Sequence, residues 1–357
     1  MRRSGLLFCP SLDGGGSIYV RASRHGDRLW PGKRDPHTLF PVGIVVRLFL
    51  VAIANIFNIG ADLGGMAEAT QMITGIRAYF WAPLFAALIL GLLFWTSYRT
   101  MARIFKWLTL ILFAYIITAF LVRPDWMAVM RATFVPHVEF SKQYMAVLVG
   151  ILGTTISPYL FFWQAAQEVE EDRDRGKTTV AKRRGATNKE LGSARRDFIT
   201  GILLSNTVMY FLILTTAATL NAQGLKDIET AKQAAEALRP LAGRGAYLLF
   251  TLGLIGTGML AVPVLAGSCA YVIAEAAKWR SASLNLEPKL AGKFYAIIGV
   301  SIAVGLAFDF AGFNAVKMLF WSAILNGLLA PPLVVMVVLL TSDKKVMGHC
   351  VGPVLSL

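Results

Sequence analysis

The sequence predicts an all-α polytopic membrane protein of about eight transmembrane helices, and three observations carry that reading. Hydrophobic residues make up 56% of the 357-residue chain and charged residues only 16%, with a mean hydropathy of +0.58; soluble domains carry about a quarter charged residues. Apolar stretches of roughly 20 residues, enough to cross a ~30 Å hydrocarbon core as helix, recur along the chain. None alternates with the period of two that a membrane β-barrel strand needs, which leaves helices as the spanning structure.

Taken in order, residues 1–40 combine Gly14-Gly15-Gly16, scattered arginines and Pro31-Gly32 without an amphipathic period. They are expected to form a disordered cytoplasmic tail with no signal peptide. The transmembrane domain is expected over residues 41–341, with spans at about 42–74, 79–97, 104–122, 144–165, 198–220, 246–277, 294–312 and 315–340. The sixth span would be ~48 Å long as helix, so it must tilt, kink at Pro263 or extend into the cytoplasm. Its Gly253, Gly256, Gly258 and Gly267 suit close helix packing. A long charged cytoplasmic loop is expected over 168–197. An external loop is expected over 221–245, in which Ile228, Ala231, Ala235 and Leu238 recur at helical spacing. That pattern predicts a surface helix ended by Pro240 and Gly243. Residues 342–357 form a second cytoplasmic tail.

The net charge of +14 follows topology. With the N-terminus cytoplasmic, 25 of the 35 Lys and Arg residues fall on the inner side and nine outside, and only Arg47 lies within a span. A bias that alternates through eight crossings is the positive-inside rule; a nucleic-acid-binding face would not alternate with apolar segments, so no nucleic-acid partner is expected. Cys9, Cys269 and Cys350 are too scattered for a disulfide framework, and His25, His37, His137 and His349 all lie outside the spans. Histidine-based metal or proton chemistry at bilayer depth is thereby excluded. No span carries a nucleophile–base pair or a carboxylate dyad at helical spacing, so the chain does not read as an enzyme.

Polar residues inside spans mark where chemistry can occur. In Gly150–Gln164, Pro158 sits mid-span and deprives the Thr154 carbonyl of its helical partner, while Thr154, Thr155 and Ser157 add hydroxyls at the same depth. Two readings are open. An interrupted helix with freed carbonyls is how secondary transporters build cation sites; a proline kink satisfied by neighbouring helices is the other. In the first span, Asn55, Asn58 and Asp62 share one helical face. A carboxylate at that depth is costly and is expected to face a cavity or a partner; Glu68 lies nearer the external end with its role open. Ser322 and Asn326 lie one turn apart in the last span, where packing alone would account for them.

The segments A-N-I-F-N-I-G-A-D-L-G-G-M-A-E-A, L-G-T-T-I-S-P-Y-L-F-F-W-Q, L-F-T-L-G-L-I-G-T-G-M-L-A-V-P-V-L-A-G-S and D-I-E-T-A-K-Q-A-A-E-A-L-R-P-L-A-G resemble the Nramp family of divalent-metal transporters, and its bacterial Nramp-related branch most closely. The likeness covers roughly residues 40–347. It implies a partial LeuT-type inverted-repeat fold, with the eight spans standing as the family's third to tenth helices, in a bacterial inner membrane with both termini cytoplasmic. It implies transport by alternating access, with a divalent cation as substrate and no cofactor. The family's sixth-helix motif Ala-x-x-Met-Pro-His falls on Thr154–Tyr159. The resemblance thus makes Thr154 (carbonyl) and Ser157 the metal-ligating positions. Tyr159, Asp62, Asn58, Thr155 and Asn326 are expected along the substrate pathway. Asp62 matches the family's third-helix Asp on the proton route, and Gly65 replaces the Glu that usually follows.

Two departures shape the expectation. With Ser157 in place of the thioether and Tyr159 in place of the His, the site is all oxygen, which favours Mn²⁺ or Mg²⁺ over softer ions. The family's first helix, with its Asp-Pro-Gly-Asn-type motif, has no counterpart, so the chain is expected to be truncated before the third helix. The alternative expectation is therefore a transport-inactive membrane fragment or scaffold.

Overall fold

The computed structural model describes residues 40–95, 113–135, 139–174, 176, 188–219, 231–277, 279 and 283–342. The predicted tails, apart from Phe40 and Ser342, and the loop residues 98–103, 136–138, 175, 177–187, 221–230, 278 and 280–282 lie outside the described residues. Those that are described form ten helices: α1 (Phe40–Thr74), α2 (Ala78–Trp95), α3 (Phe113–Val122), α4 (Trp126–Phe134), α5 (Lys142–Thr155), α6 (Pro158–Asp174), α7 (Asn188–Thr219), α8 (Ala231–Ala276), α9 (Gly292–Phe310) and α10 (Ala315–Ser342). Seven stretches among them are long and apolar enough to cross a membrane, with α5 and α6 together making one. The predicted third span is described only over its second half, as α3.

Helix α1 is the centre of the bundle. It lies along α8 and also packs on α2, α9 and α10. Ile59, Leu63 and Met66 recur at i, i+4 and i+7 and share a core with Ile89, Leu265, Phe294, Ile298 and Ile302. Glycine sets how closely α1 approaches α9: a Cβ on Gly60 would stand 2.7 Å from the Gly305 carbonyl oxygen, and one on Gly305 would stand 2.9 Å from the Gly60 nitrogen. Small residues are what let helix backbones meet where no hydrophobic drive separates lipid from protein.

Two predicted boundaries are corrected. The helix expected to end at Pro240 and Gly243 instead runs unbroken over Ala231–Ala276, through Pro263 as well. A proline removes one ladder bond and a glycine some propensity, but helical apolar spacing continues on both sides of each, so neither terminates the helix. Residues 231–247 of this helix precede the Leu248–Ala276 stretch, which is long and apolar enough to cross a membrane. Likewise, the loop expected from 168 to 197 is helical at both ends, because α6 continues to Asp174 and α7 begins at Asn188. Charged residues there signalled an exit from the bilayer, yet Glu170 and Asp172 are buried against the bundle.

Candidate functional site

The site is built around the interruption between α5 and α6. Proline restricts the residue before it to extended conformations, and Ser157 accordingly stands outside helical structure. Pro158 then opens α6, a first-turn position at which its missing N–H costs nothing. Ile156 caps α5 with φ −110° and ψ 69°, its N–H donating to Leu152 O at 2.9 Å. The interruption therefore spans 156–157, narrower than the Thr154–Ser157 stretch that the freed-carbonyl argument marks. The carbonyl that argument singles out is turned to the gap: the buried Ser157 hydroxyl donates to Thr154 O at 3.0 Å and lies 3.3 Å from Gly153 O.

Each arm of the interrupted helix is held by a different neighbour. Helix α5 meets α10 with backbone on backbone: a Cβ on Gly153 would collide with the Ala323 carbonyl and the Gly327 amide, and one on Gly327 with the Val149 carbonyl. Helix α6 docks on α8, where Ser268 Oγ donates to Tyr159 O at 3.0 Å and the Trp163 and Tyr271 rings meet edge to face at 6.3 Å.

Ser157 and Tyr159 flank Pro158 at the interruption, and Asp62 is on α1. The Asp62 carboxyl is close enough to Tyr159 to act on it electrostatically. Asn58, one turn from Asp62, accepts a hydrogen bond from Ser322 and so joins α1 to α10. Asn326 is 3% exposed, its Oδ1 has no hydrogen-bond partner, and the Gly153–Gly327 contact sets it level with the interruption. A buried amide oxygen without a donor is the kind of group that a dehydrated cation or a water can satisfy.

Three expected members sit elsewhere. The Thr154 and Thr155 hydroxyls both donate to Ile151 O at 2.8 Å on exposed side chains, so only the Thr154 carbonyl addresses the gap. Thr155 turns to Met209 on α7, its Oγ1 3.6 Å from the sulfur. Asn55, expected on the same face as Asn58, is wholly buried, and neither polar atom of its side chain has a hydrogen-bond partner.

The sequence reading missed a second polar centre at the far end of α6. Glu170 is 4% exposed; its Oε1 accepts from Tyr271 Oη at 2.6 Å and from the Leu284 amide at 3.3 Å. Tyr295 Oη closes the turn after α8 by donating to Leu284 O at 3.2 Å and Leu286 O at 3.1 Å. A charged run had marked Glu170 as loop; its only signal was helical phase, since it falls three residues after Gln167 and seven after Trp163. Among the described residues, no group of three or more His, Cys, Asp and Glu side chains is placed to hold a metal ion. The oxygens shown at the interruption itself are the Thr154 and Gly153 carbonyls and the Ser157 hydroxyl.

Comparisons with known proteins follow this geometry. The family model described as Nramp, natural resistance-associated macrophage protein-like, matches residues 40–356. A divalent metal cation transporter MntH of Deinococcus radiodurans is 28% identical over 213 residues, covering 58% of this chain and 47% of that protein. One of Mesorhizobium japonicum is 25% identical over 299 residues, covering 82% and 63%. The chain thus spans about half to two thirds of the length of these relatives. The crystal structure of an Eremococcus coleocola manganese transporter, in complex with an aromatic bis-isothiourea substituted compound, superposes with a TM-score of 0.58 at 16% identity. It covers 95% of this chain and 71% of that one, a likeness of fold.

Proposed function

The chain belongs to the Nramp family, and on that premise we propose that it moves divalent metal cations across the membrane by alternating access, with Mn²⁺ and Mg²⁺ favoured over softer ions. Its relatives are named as divalent metal cation transporters, which puts the activity in transport rather than catalysis. The observation that carries the reading is the interrupted helix, where the Thr154 carbonyl and the Ser157 hydroxyl share the gap at 3.0 Å. Carbonyl and hydroxyl oxygens are hard ligands, suited to Mg²⁺, Ca²⁺ and Mn²⁺. Tyr159, Asn58 and Asn326 line the approach, and Asp62, an ionisable group inside a span, carries the proton that accompanies the ion. The metal ion is substrate, and no cofactor takes part.

Uptake by proteoliposomes tests this. The expected result is Mn²⁺ entry that Mg²⁺ competes with better than Cd²⁺, that an inward proton gradient speeds, and that loses its gradient dependence in Asp62→Asn. Sealed vesicles that stay impermeable to Mn²⁺, with the protein folded in them, support the second reading, a membrane fragment without transport.

The same reading places both termini on the cytoplasmic side of a bacterial plasma membrane, with 168–197 inside and 221–245 outside, from the charge asymmetry. Single cysteines at Thr187 and Ala222, treated with an impermeant thiol reagent on intact cells, are expected to label only at Ala222. Labelling at Thr187 alone would invert the topology.

A further inference from the structure

Between α3 and α5 the chain makes a helix too short to span a bilayer. Helix α4 has nine residues, with Asp125 as its N-cap: the carboxylate accepts from the Met127 amide at 2.9 Å and from that of Ala128 at 3.2 Å. None of its residues is buried. At about 100° per residue, Met127, Met130 and Phe134 fall within about 60° of one another. They are 80%, 51% and 75% exposed. Arg131 borders this stripe on one side, in the last turn. On the other side the helix touches protein: the Trp126 ring lies 5.3 Å from that of Phe120 on α3, and Thr133 Oγ1 lies 2.9 Å from Tyr210 Oη on α7. Ala128 and Ala132 point the opposite way from the stripe.

The position of α4 says what covers the stripe. In the topology proposed above, its two neighbours in sequence, α3 and α5, belong to spans that end and begin on the same side of the bilayer. Phe120, which touches α4, also packs on Phe211 of α7 at 5.6 Å. Phe120 and Ile213 are themselves 56% and 46% exposed, apolar side chains on the outer surface of helices expected to cross the bilayer. Through Trp126 and Thr133, α4 thus sits beside the exposed apolar residues of α3 and α7, with its own apolar stripe adjoining that contact. A short helix with an apolar face, a Trp and a flanking Arg is the kind of element that lies in the headgroup and upper acyl region. We propose that α4 is an interfacial helix that seats Met127, Met130 and Phe134 in the leaflet at this end of the bundle, with Arg131 holding an anionic phospholipid headgroup. Because only seven residues separate α4 from α5, one arm of the interrupted helix, α4 moors the start of that arm to the bilayer surface.

The test uses the full chain in lipid nanodiscs, with Cys9 and Cys350 replaced by Ser and the wholly buried Cys269 kept. An environment-sensitive fluorophore is attached to M127C, M130C, A128C or A132C. With phosphatidylglycerol mixed into phosphatidylcholine, labels at 127 and 130 are expected to be quenched by brominated lipid and shielded from aqueous iodide, and labels at 128 and 132 to show the reverse. Pure phosphatidylcholine is expected to shift emission at 127 toward its value in water, and R131Q to show that shift already with phosphatidylglycerol present. Iodide access at 127 and 130 equal to that at 128 and 132 would overturn the proposal, as would shielding from both quenchers, which indicates a protein partner. A phosphatidylglycerol response unchanged by R131Q would overturn the headgroup assignment.

Discussion

Gly153→Ala is expected to unfold the α5–α10 contact, lowering stability by ~3 kcal/mol or more, at the upper end for overpacking because backbone rather than a side chain stands in the way. The added methyl has no space, since the Ala323 carbonyl and the backbone of Gly327 already occupy it. Side chains can rotate away from an intruding carbon, but a carbonyl and an amide inside a helix cannot without breaking the ladder. The effect reaches the site, because Gly153 lies four residues before Ser157 and its carbonyl is 3.3 Å from the Ser157 hydroxyl. Gly299→Ala is the matched control: it too sits inside a helix, but nothing lies within 4 Å of where its Cβ would be, so it is expected to be neutral or to stabilise by ~0.5 kcal/mol through the better helix former. Thermal melts of both variants in detergent, followed by intrinsic fluorescence, separate the two. Equal melting temperatures would mean that α5 and α10 are not in backbone contact.

Ser157→Met is expected to move ion preference toward Cd²⁺ and away from Mg²⁺ by about tenfold in relative affinity, which corresponds to ~1.4 kcal/mol. A thioether binds Mg²⁺ poorly and replaces a hydroxyl oxygen that stands in the gap with the Thr154 carbonyl. Ser157 is only 6% exposed, so the larger side chain also has to find room. Ser157→Cys provides the soft atom at nearly the original volume and is expected to shift preference in the same direction. Competition between Cd²⁺ and Mg²⁺ for binding or uptake measures both variants. An unchanged ratio in two folded variants would show that Ser157 does not face the ion.

How far the sequence revealed this arrangement depends on the signal each feature leaves. The spans were legible because the bilayer demands long apolar runs, and the interruption because proline cannot continue a helix without orphaning a carbonyl. The residue facing the gap was legible too, as Ser157 stands immediately before Pro158. What a span does beyond its apolar run was harder to read. Pro240 and Gly243 carry the same local signal as a helix end, yet α8 passes through them, so a local breaker proved decisive only where the backbone also turned. The Thr154 and Thr155 hydroxyls looked equivalent to that of Ser157 in sequence. Both are taken by Ile151 O, because a helical threonine can always reach back to its own preceding turn. Glu170 was hidden by its neighbours: a run of acidic residues reads as a solvated exit, and its burial depends on Tyr271 and Leu284, more than a hundred positions away.

Anomalous scattering from Mn²⁺ soaked into crystals of the chain tests the cation site most directly. A single strong peak is expected in the gap between α5 and α6, within ~2.2 Å of the Thr154 carbonyl oxygen and directly or through one water from the Ser157 hydroxyl, and weakened when Mg²⁺ is present in excess. Strong Mn²⁺ peaks confined to other parts of the molecule, with the gap occupied only by water, would contradict a cation site at the interrupted helix.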